Sequence, residues 1–173
     1  MFGLFKKKVP DIEELLFQAA DTIEYRVNEV LQTQAELSFG LKGVELDVRE
    51  APVFAVAMTC SVGDMLIDSS NGNKGAIIDG FMNKYFQKAA NALGVPKREL
   101  TDIFILNCNS YQSLLDGCFS KDNPQGSHNL AVALFENAFN SESIPGKGIG
   151  PSLEMVIGGV FSNMKVELKK NKL

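Results

Sequence analysis

The sequence is poor in the residues that most often carry chemistry in proteins: it has one histidine, three cysteines and no tryptophan. Because His128 is the only histidine, every metal or catalytic motif that needs two histidines is excluded. Cys60, Cys108 and Cys118 lie far apart in the sequence, whereas structural zinc sites usually take ligands from closely spaced pairs. We therefore expect neither a bound metal nor a cofactor, and free thiols typical of a reducing compartment such as the cytoplasm.

Long apolar runs and an excess of basic charge are also missing. No stretch approaches the roughly 18 uninterrupted apolar residues that a membrane-spanning helix needs. The apolar start of the chain is too short for a secretory leader, and its basic residues follow it instead of preceding it. The net charge of −4 disfavours a nucleic-acid-binding role, which usually requires a basic surface. We therefore expect a cytoplasmic protein that does not bind nucleic acid.

The remaining composition is typical of one folded domain. With 173 residues, of which 45% are hydrophobic and 22% charged, the chain can form a sizeable core without disulfide bonds. We predict a single helical domain over residues 11–173, preceded by a flexible tail over residues 1–10. In the tail, Phe2, Leu4 and Phe5 precede three lysines and could touch a membrane surface, but so small a patch gives only marginal affinity.

Helical periodicity dominates the rest of the sequence. Asp11 and Glu14 have the spacing of a capping box, which predicts that a first helix begins here and ends near Gly40. Gly94, followed by Pro96, predicts the end of a later helix. Apolar residues at three- and four-residue steps predict four further helices, the first of which is the one that ends at Gly94. Their apolar stripes run over residues 77–93, 100–119, 130–139 and 153–168.

The segment near residues 43–60 allows two interpretations. Val44, Leu46 and Val48 alternate with charged residues, a pattern typical of a half-exposed strand. The apolar run after Pro52 instead favours a buried helix that begins near this proline. We predict a mainly α fold, a compact bundle-like domain of about six helices, with a small β-hairpin in this segment as the alternative.

Four polar residues are candidates for ligand binding. Asp64 and Asp68 are four residues apart and could both lie on one face of a helix, although such pairs are common on solvated faces. Lys147 lies in a glycine-rich loop whose backbone amides could hold an anion, but the loop departs from the Walker A pattern. His128, near the start of the fifth predicted helix, is equally well explained as a surface residue.

These residues form no recognisable catalytic set, which disfavours an enzyme. The first hypothesis is a non-enzymatic cytosolic interaction module, such as an adaptor, immunity or assembly factor, with a protein partner or a second copy of the chain as its ligand. A small-molecule-binding protein or enzyme with a pocket between helices is one alternative. A peripheral membrane protein attached through residues 1–10 is the other, and we disfavour membrane contact. Reaction, ligand and oligomeric state are not encoded in any motif of this sequence.

Overall fold

A computed structural model of the chain describes residues 11–37, 45–68, 73–118, 122–123, 125–139 and 149–171. Within these ranges the chain forms six α-helices that pack into a compact bundle, so the prediction of a mainly helical, bundle-like fold is confirmed. The helices are α1 (Ile12–Leu37), α2 (Glu50–Leu66), α3 (Lys74–Leu93), α4 (Lys97–Cys118), α5 (Gly126–Phe139) and α6 (Ile149–Asn171).

Helix α2 is the centre of the fold. Every residue from Glu50 to Gly63 is buried, so the helix presents no face to solvent over most of its length. The other five helices surround it as a ring: α1 packs on α3, α3 on α4, α4 on α5, α5 on α6 and α6 on α1, and each also contacts α2. A helix that is apolar on all sides is stable in water only when its neighbours cover it all round. None of the six described helices combines the length and apolar character needed to cross a membrane.

Two predicted helix boundaries are confirmed by their capping geometry. Asp11 Oδ1 accepts a hydrogen bond from the Glu14 backbone N–H at 2.8 Å, which satisfies one of the free amides at the start of α1. Gly94 ends α3 in the left-handed region, at φ +70°, where glycine has no steric penalty. The end of α1 predicted near Gly40 falls outside the described residues.

The alternative of a small β-hairpin near residues 43–60 is wrong, because α2 occupies the second part of this segment and the described ranges contain no strand. The helix begins two residues before Pro52. In the first turn this proline costs no hydrogen bond, since the backbone amides there have no partner within the helix. Ahead of the helix, the Asp47 N–H donates to the Ala138 carbonyl of α5 at 2.7 Å. Arg49 also pairs with Glu99 of α4 at 2.9 Å, and Leu46 packs against the core, so the segment is held in place without a β ladder.

Helices α4, α5 and α6 approach each other closely at two glycines. A Cβ added to Gly126 would lie 2.1 Å from the Gly117 carbonyl oxygen of α4. A Cβ added to Gly150 would lie 2.8 Å from the Ser127 carbonyl oxygen of α5. Both obstacles are backbone atoms, which cannot turn aside as a flexible side chain can. Glycine is therefore required at both positions for these three helices to meet.

We expect Gly126→Ala to lower the free energy of unfolding by about 2–3 kcal/mol, because the new methyl group forces α4 and α5 apart. The matched control is Gly159→Ala in α6, where an added Cβ meets nothing within 4 Å. Since alanine is the better helix former, we expect this control to gain about 0.5–1 kcal/mol. Urea unfolding of the two variants measures both changes. A Gly126→Ala protein as stable as the wild type would contradict the close approach.

Thr59 is an exception among the buried polar side chains, because its Oγ1 has no hydrogen-bond partner in the described part of the chain. An unpaired buried hydroxyl is destabilising, so we expect Thr59→Val to raise the free energy of unfolding by about 1 kcal/mol. Ser61→Ala is the control, since the Ser61 hydroxyl donates to the Ala57 carbonyl at 2.9 Å and its removal offers no such gain. Denaturant titration compares them. If the valine variant is no more stable than the wild type, the hydroxyl is satisfied in solution.

Candidate functional site

A groove lies between α4 and α6 over the carboxyl end of α2. It consists of two cavities, of about 490 Å³ and about 270 Å³, and both are lined by Met65 and Asp116. We call the two cavities together the α2 groove. The larger cavity is further lined by Val62, Leu115, Gly158, Phe161 and Ser162. The smaller cavity is further lined by Ser61, Asp64, Gln112 and Ser113.

The larger cavity is apolar because side chains from three helices converge on it. Val62 of α2 and Leu115 of α4 are both almost fully buried and form its floor. Half-buried Phe161 of α6 forms one wall. Met65, where the two cavities meet, is 53% exposed. Its unbranched, flexible side chain can adapt to ligands of different shape.

The smaller cavity is polar and its charge is negative. Asp64 lies in the last turn of α2 and Asp116 in the last turn of α4, where the partial negative charge of the helix end disfavours a carboxylate. Lys74 Nζ pairs with Asp64 at 2.8 Å, whereas Asp116 forms no ion pair with any described residue. No lysine, arginine or histidine is among the described residues that line the groove. Among the described residues, one cation–π contact lies at the wall of the groove, where Lys165 Nζ is 5.9 Å from the centre of the Phe161 ring.

The structure separates the two aspartates that the sequence suggested as a pair. Asp64 is exposed and lines the α2 groove. Asp68 is exposed too, but it lies beyond the end of the helix, which stops at Leu66. Ile67 already has an extended backbone, with φ −77° and ψ 123°. The two aspartates therefore do not share one helical face, because the helix ends before it reaches the second one, and both are exposed to solvent.

The other sequence candidates do not join the groove. His128 is half-buried in the first turn of α5 and lines neither of its cavities. Lys147 lies outside the described residues. Burial raises the pKa of the Cys60 thiol to about 12 and that of the Cys118 thiol to about 11, so both are poor nucleophiles at neutral pH. Among the described residues, no three side chains of His, Cys, Asp or Glu come together to hold a metal ion.

A further cavity, of about 340 Å³, lies between α1 and α6. Its walls carry charges of both signs, with Arg26 from α1 and Glu167 from α6. Arg26 already pairs with Glu29 at 2.7 Å. Met155 at its margin is 77% exposed. This cavity therefore offers no preference for a ligand of one charge, in contrast to the α2 groove.

At the opposite end of α2, a buried carboxylate joins three helices. Glu50 is only 3% exposed; its Oε1 accepts from Asn107 Nδ2 at 2.9 Å and its Oε2 from the Tyr111 hydroxyl at 3.0 Å. The Tyr111 hydroxyl in turn accepts from Asn137 Nδ2 of α5 at 2.8 Å. Next to this cluster, the Arg49 guanidinium makes two hydrogen bonds to the Asp47 carboxylate. A buried carboxylate whose oxygens accept hydrogen bonds from neutral donors typically has a structural role.

Burial also controls the protonation of this cluster. Desolvation raises the pKa of Glu50 to about 7, although hydrogen bonds from Tyr111 and Asn107 act in the opposite direction. Burial, and the charge of Glu50, likewise raise the pKa of Tyr111. The hydrogen bond from Arg49 lowers the pKa of Asp47. A carboxyl with a pKa near 7 is what general acid–base catalysis uses, but a side chain 3% exposed cannot meet a substrate.

The raised pKa of Glu50 predicts how stability depends on pH. Between its ordinary value of 4.5 and about 7, the folded protein holds a proton on Glu50 that the unfolded chain has lost. The contribution of Glu50 is therefore full below pH 4.5 and falls by about 3 kcal/mol as the pH rises to about 7. We expect Glu50→Gln, which does not titrate, to lack this decline. Denaturant unfolding of the wild type and the variant at a series of pH values measures this difference. If the free energy of unfolding changes with pH equally in both proteins, Glu50 is not desolvated.

No protein-family model matches the chain, and no curated protein or solved structure matches it. Function is therefore inferred from the geometry of the α2 groove. Sequence reasoning identified one of its polar residues, Asp64, and missed Met65 and Asp116. The sequence contains one signal that could have identified Asp116. An acidic side chain in the last turn of a helix is unfavourable for the helix dipole, which suggests another role for it. No signal in the sequence indicates that Met65 is exposed, because this residue continues an apolar run that is otherwise buried.

Proposed function

We propose that the protein is a non-enzymatic interaction module that binds an apolar and basic peptide segment of a partner protein in the α2 groove. The observation that carries this proposal is an apolar cavity of about 490 Å³ joined to an acidic one. Amphipathic helices commonly bind by placing their apolar face in such a groove between helices. The three free cysteines favour a reducing compartment, so we place the protein in the cytoplasm.

Apolar side chains of the partner would supply most of the affinity. The volume of the larger cavity is within the range of established ligand pockets. Val62 and Leu115 are already buried, so a side chain that enters gains by displacing water from the exposed part of Met65 and from half-buried Phe161. Met65 is the apolar side chain that a partner would cover most, since 53% of it is exposed in the free protein. The flexibility of methionine would let the groove accept more than one sequence.

Basic side chains of the partner would supply orientation and selectivity. Asp116 is exposed and unpaired within the described chain, and Asp64 has most of its side chain in solvent despite its pairing with Lys74. Exposed charge pairs contribute little to affinity, about 0.2–1 kcal/mol each. They do accelerate association and reject segments of the wrong charge. A neutral or acidic apolar peptide would therefore bind less well than a basic one.

The remaining chemistry of the described residues supports binding over catalysis. The carboxyl with the catalytically useful pKa, Glu50, is sealed inside the bundle. Buried Cys60 and Cys118 hold their protons well above neutral pH. The polar side chains that line the α2 groove are serines, two aspartates and a glutamine, with no histidine, lysine or cysteine among the described lining residues. Surfaces of this composition are suited to recognition.

We expect groove variants to lose affinity for a fluorescein-labelled synthetic amphipathic peptide made of leucine and lysine, measured by fluorescence anisotropy. Met65→Glu puts a carboxylate where leucine side chains bind and would desolvate it, and we expect this cost to outweigh its attraction for lysine and to give about a tenfold or greater loss. Asp116→Lys adds a like charge at the rim, and we expect a smaller loss of about threefold to tenfold. Folding is not at risk in the lysine variant, because a lysine in the last turn of α4 favours the helix dipole.

Two control variants match these changes elsewhere on the surface. Asp102→Lys reverses an exposed aspartate of the same helix, roughly 20 Å away along its axis. Met155→Glu replaces an exposed methionine at the other cavity. We expect wild-type affinity from both. The proposal fails if the groove variants bind as well as these controls, or if a leucine–serine peptide without charge binds as tightly as the leucine–lysine peptide.

A further inference from the structure

We propose that residues 2–8 of the same chain occupy the α2 groove and compete there with the partner segment. This inference rests on the proposed function of the groove and adds its regulation: the chain carries its own competitive ligand.

The segment has the chemistry that the groove selects. Phe2, Leu4 and Phe5 are three large apolar side chains within four positions. Lysines follow directly at positions 6–8, so apolar and basic groups are adjacent, as they are in the proposed partner. The groove places an apolar cavity beside a cavity with two aspartates. Each half of the segment therefore has a complementary half of the groove.

The described chain begins at the same end of the bundle as the groove. Near the start of α1, Leu16 Cδ2 lies 3.0 Å from the position of a Cβ added to Gly63, close to the end of α2. The two helices are antiparallel, since the residues that join Leu37 to Glu50 could not otherwise span the distance between their ends. The start of α1 therefore lies beside the last turns of α2, which contribute Val62 and Met65 to the groove.

The segment is long enough to reach. From Asp11 back to Phe2 an extended chain spans roughly 30 Å at about 3.3 Å per residue. Packed helices lie about 8–10 Å apart, and α6, which forms one wall of the groove, also packs on α1, so the groove is within about two helix spacings of α1. The lysines need to cover only part of this distance to meet Asp64 or Asp116. The apolar residues beyond them then arrive at the larger cavity.

Covalent attachment makes a weak ligand effective. Three apolar side chains and three charges give only marginal affinity when they act alone, which also holds for a membrane surface. A short tether raises the effective concentration of the segment at the groove to about the millimolar range. A segment with a dissociation constant of about 0.1 mM would then fill the groove about nine-tenths of the time. A partner has to displace it, and its apparent affinity falls about tenfold.

The lack of tryptophan allows a direct test in the full-length chain. Phe5→Trp introduces the only tryptophan, and the substitution is conservative for an apolar anchor. We expect its emission to lie at shorter wavelength than that of the free peptide of residues 1–10 carrying the same substitution. The shift should not depend on protein concentration. A shift that appears only at high concentration would mean that the segment binds a second copy of the chain, which overturns the proposal.

Groove variants in the same tryptophan background locate the contact. We expect Met65→Glu and Asp116→Lys to return the emission to that of the free peptide, while Met155→Glu and Asp102→Lys preserve the shift. Vesicles containing an anionic phospholipid test the competing surface. If the emission equals that of the free peptide in buffer and shifts only when vesicles are added, residues 2–8 are a membrane contact and the proposal is wrong.

Binding of the leucine–lysine peptide separates this inference from the proposed function. We expect the full chain with Phe2→Ser and Phe5→Ser to bind that peptide about tenfold more tightly than the wild type, because the internal competitor is weakened. Equal affinity, with binding still lost in Met65→Glu, would refute internal competition and leave the groove as a partner site. Absence of peptide binding in both proteins, together with an unshifted tryptophan, would refute both.

Discussion

The complete burial of α2 is the constraint on which the rest of the structure depends. A helix with apolar side chains all round must be covered all round, and five helices are needed to do so. Fully burying one large apolar side chain contributes about 1.5–3 kcal/mol, so the ring gains most where it touches α2. The same burial makes polar groups on this helix costly unless they are paired. Ser61 meets that condition through a backbone carbonyl, and Thr59 does not.

The two ends of α2 resolve this constraint differently. At the amino end, Asn107, Tyr111 and Asn137 bring donors from α4 and α5 to the Glu50 carboxylate, so a polar group is accepted inside the bundle. At the carboxyl end, α4 and α6 leave part of the helix uncovered, and Met65 is exposed. The first end is closed and structural. The second end leaves apolar and acidic side chains at the surface of the described bundle.

Local signals in the sequence predicted local features well. Asp11 caps α1 and Gly94 ends α3 because each acts through backbone atoms within a few residues. The apolar periodicity of α3 to α6 predicted their existence for the same reason. The core position of Glu50 could not be predicted, since its burial depends on donors 57 and 61 residues away along the chain. The α2 groove is equally non-local, because α2, α4 and α6 must all be placed before Met65 and Asp116 are seen to share it.

The central position of α2 also has a consequence for synthesis on the ribosome. Helix α2 ends at Leu66, but the ring that covers it is complete only with α6, which extends to Asn171. At about 5–20 residues per second, roughly 100 further residues take about 5–20 s to emerge. During that interval the most apolar helix of the protein has only part of its cover. Helix α1, which is synthesised before α2 and packs on it, is the first cover that this apolar surface can obtain.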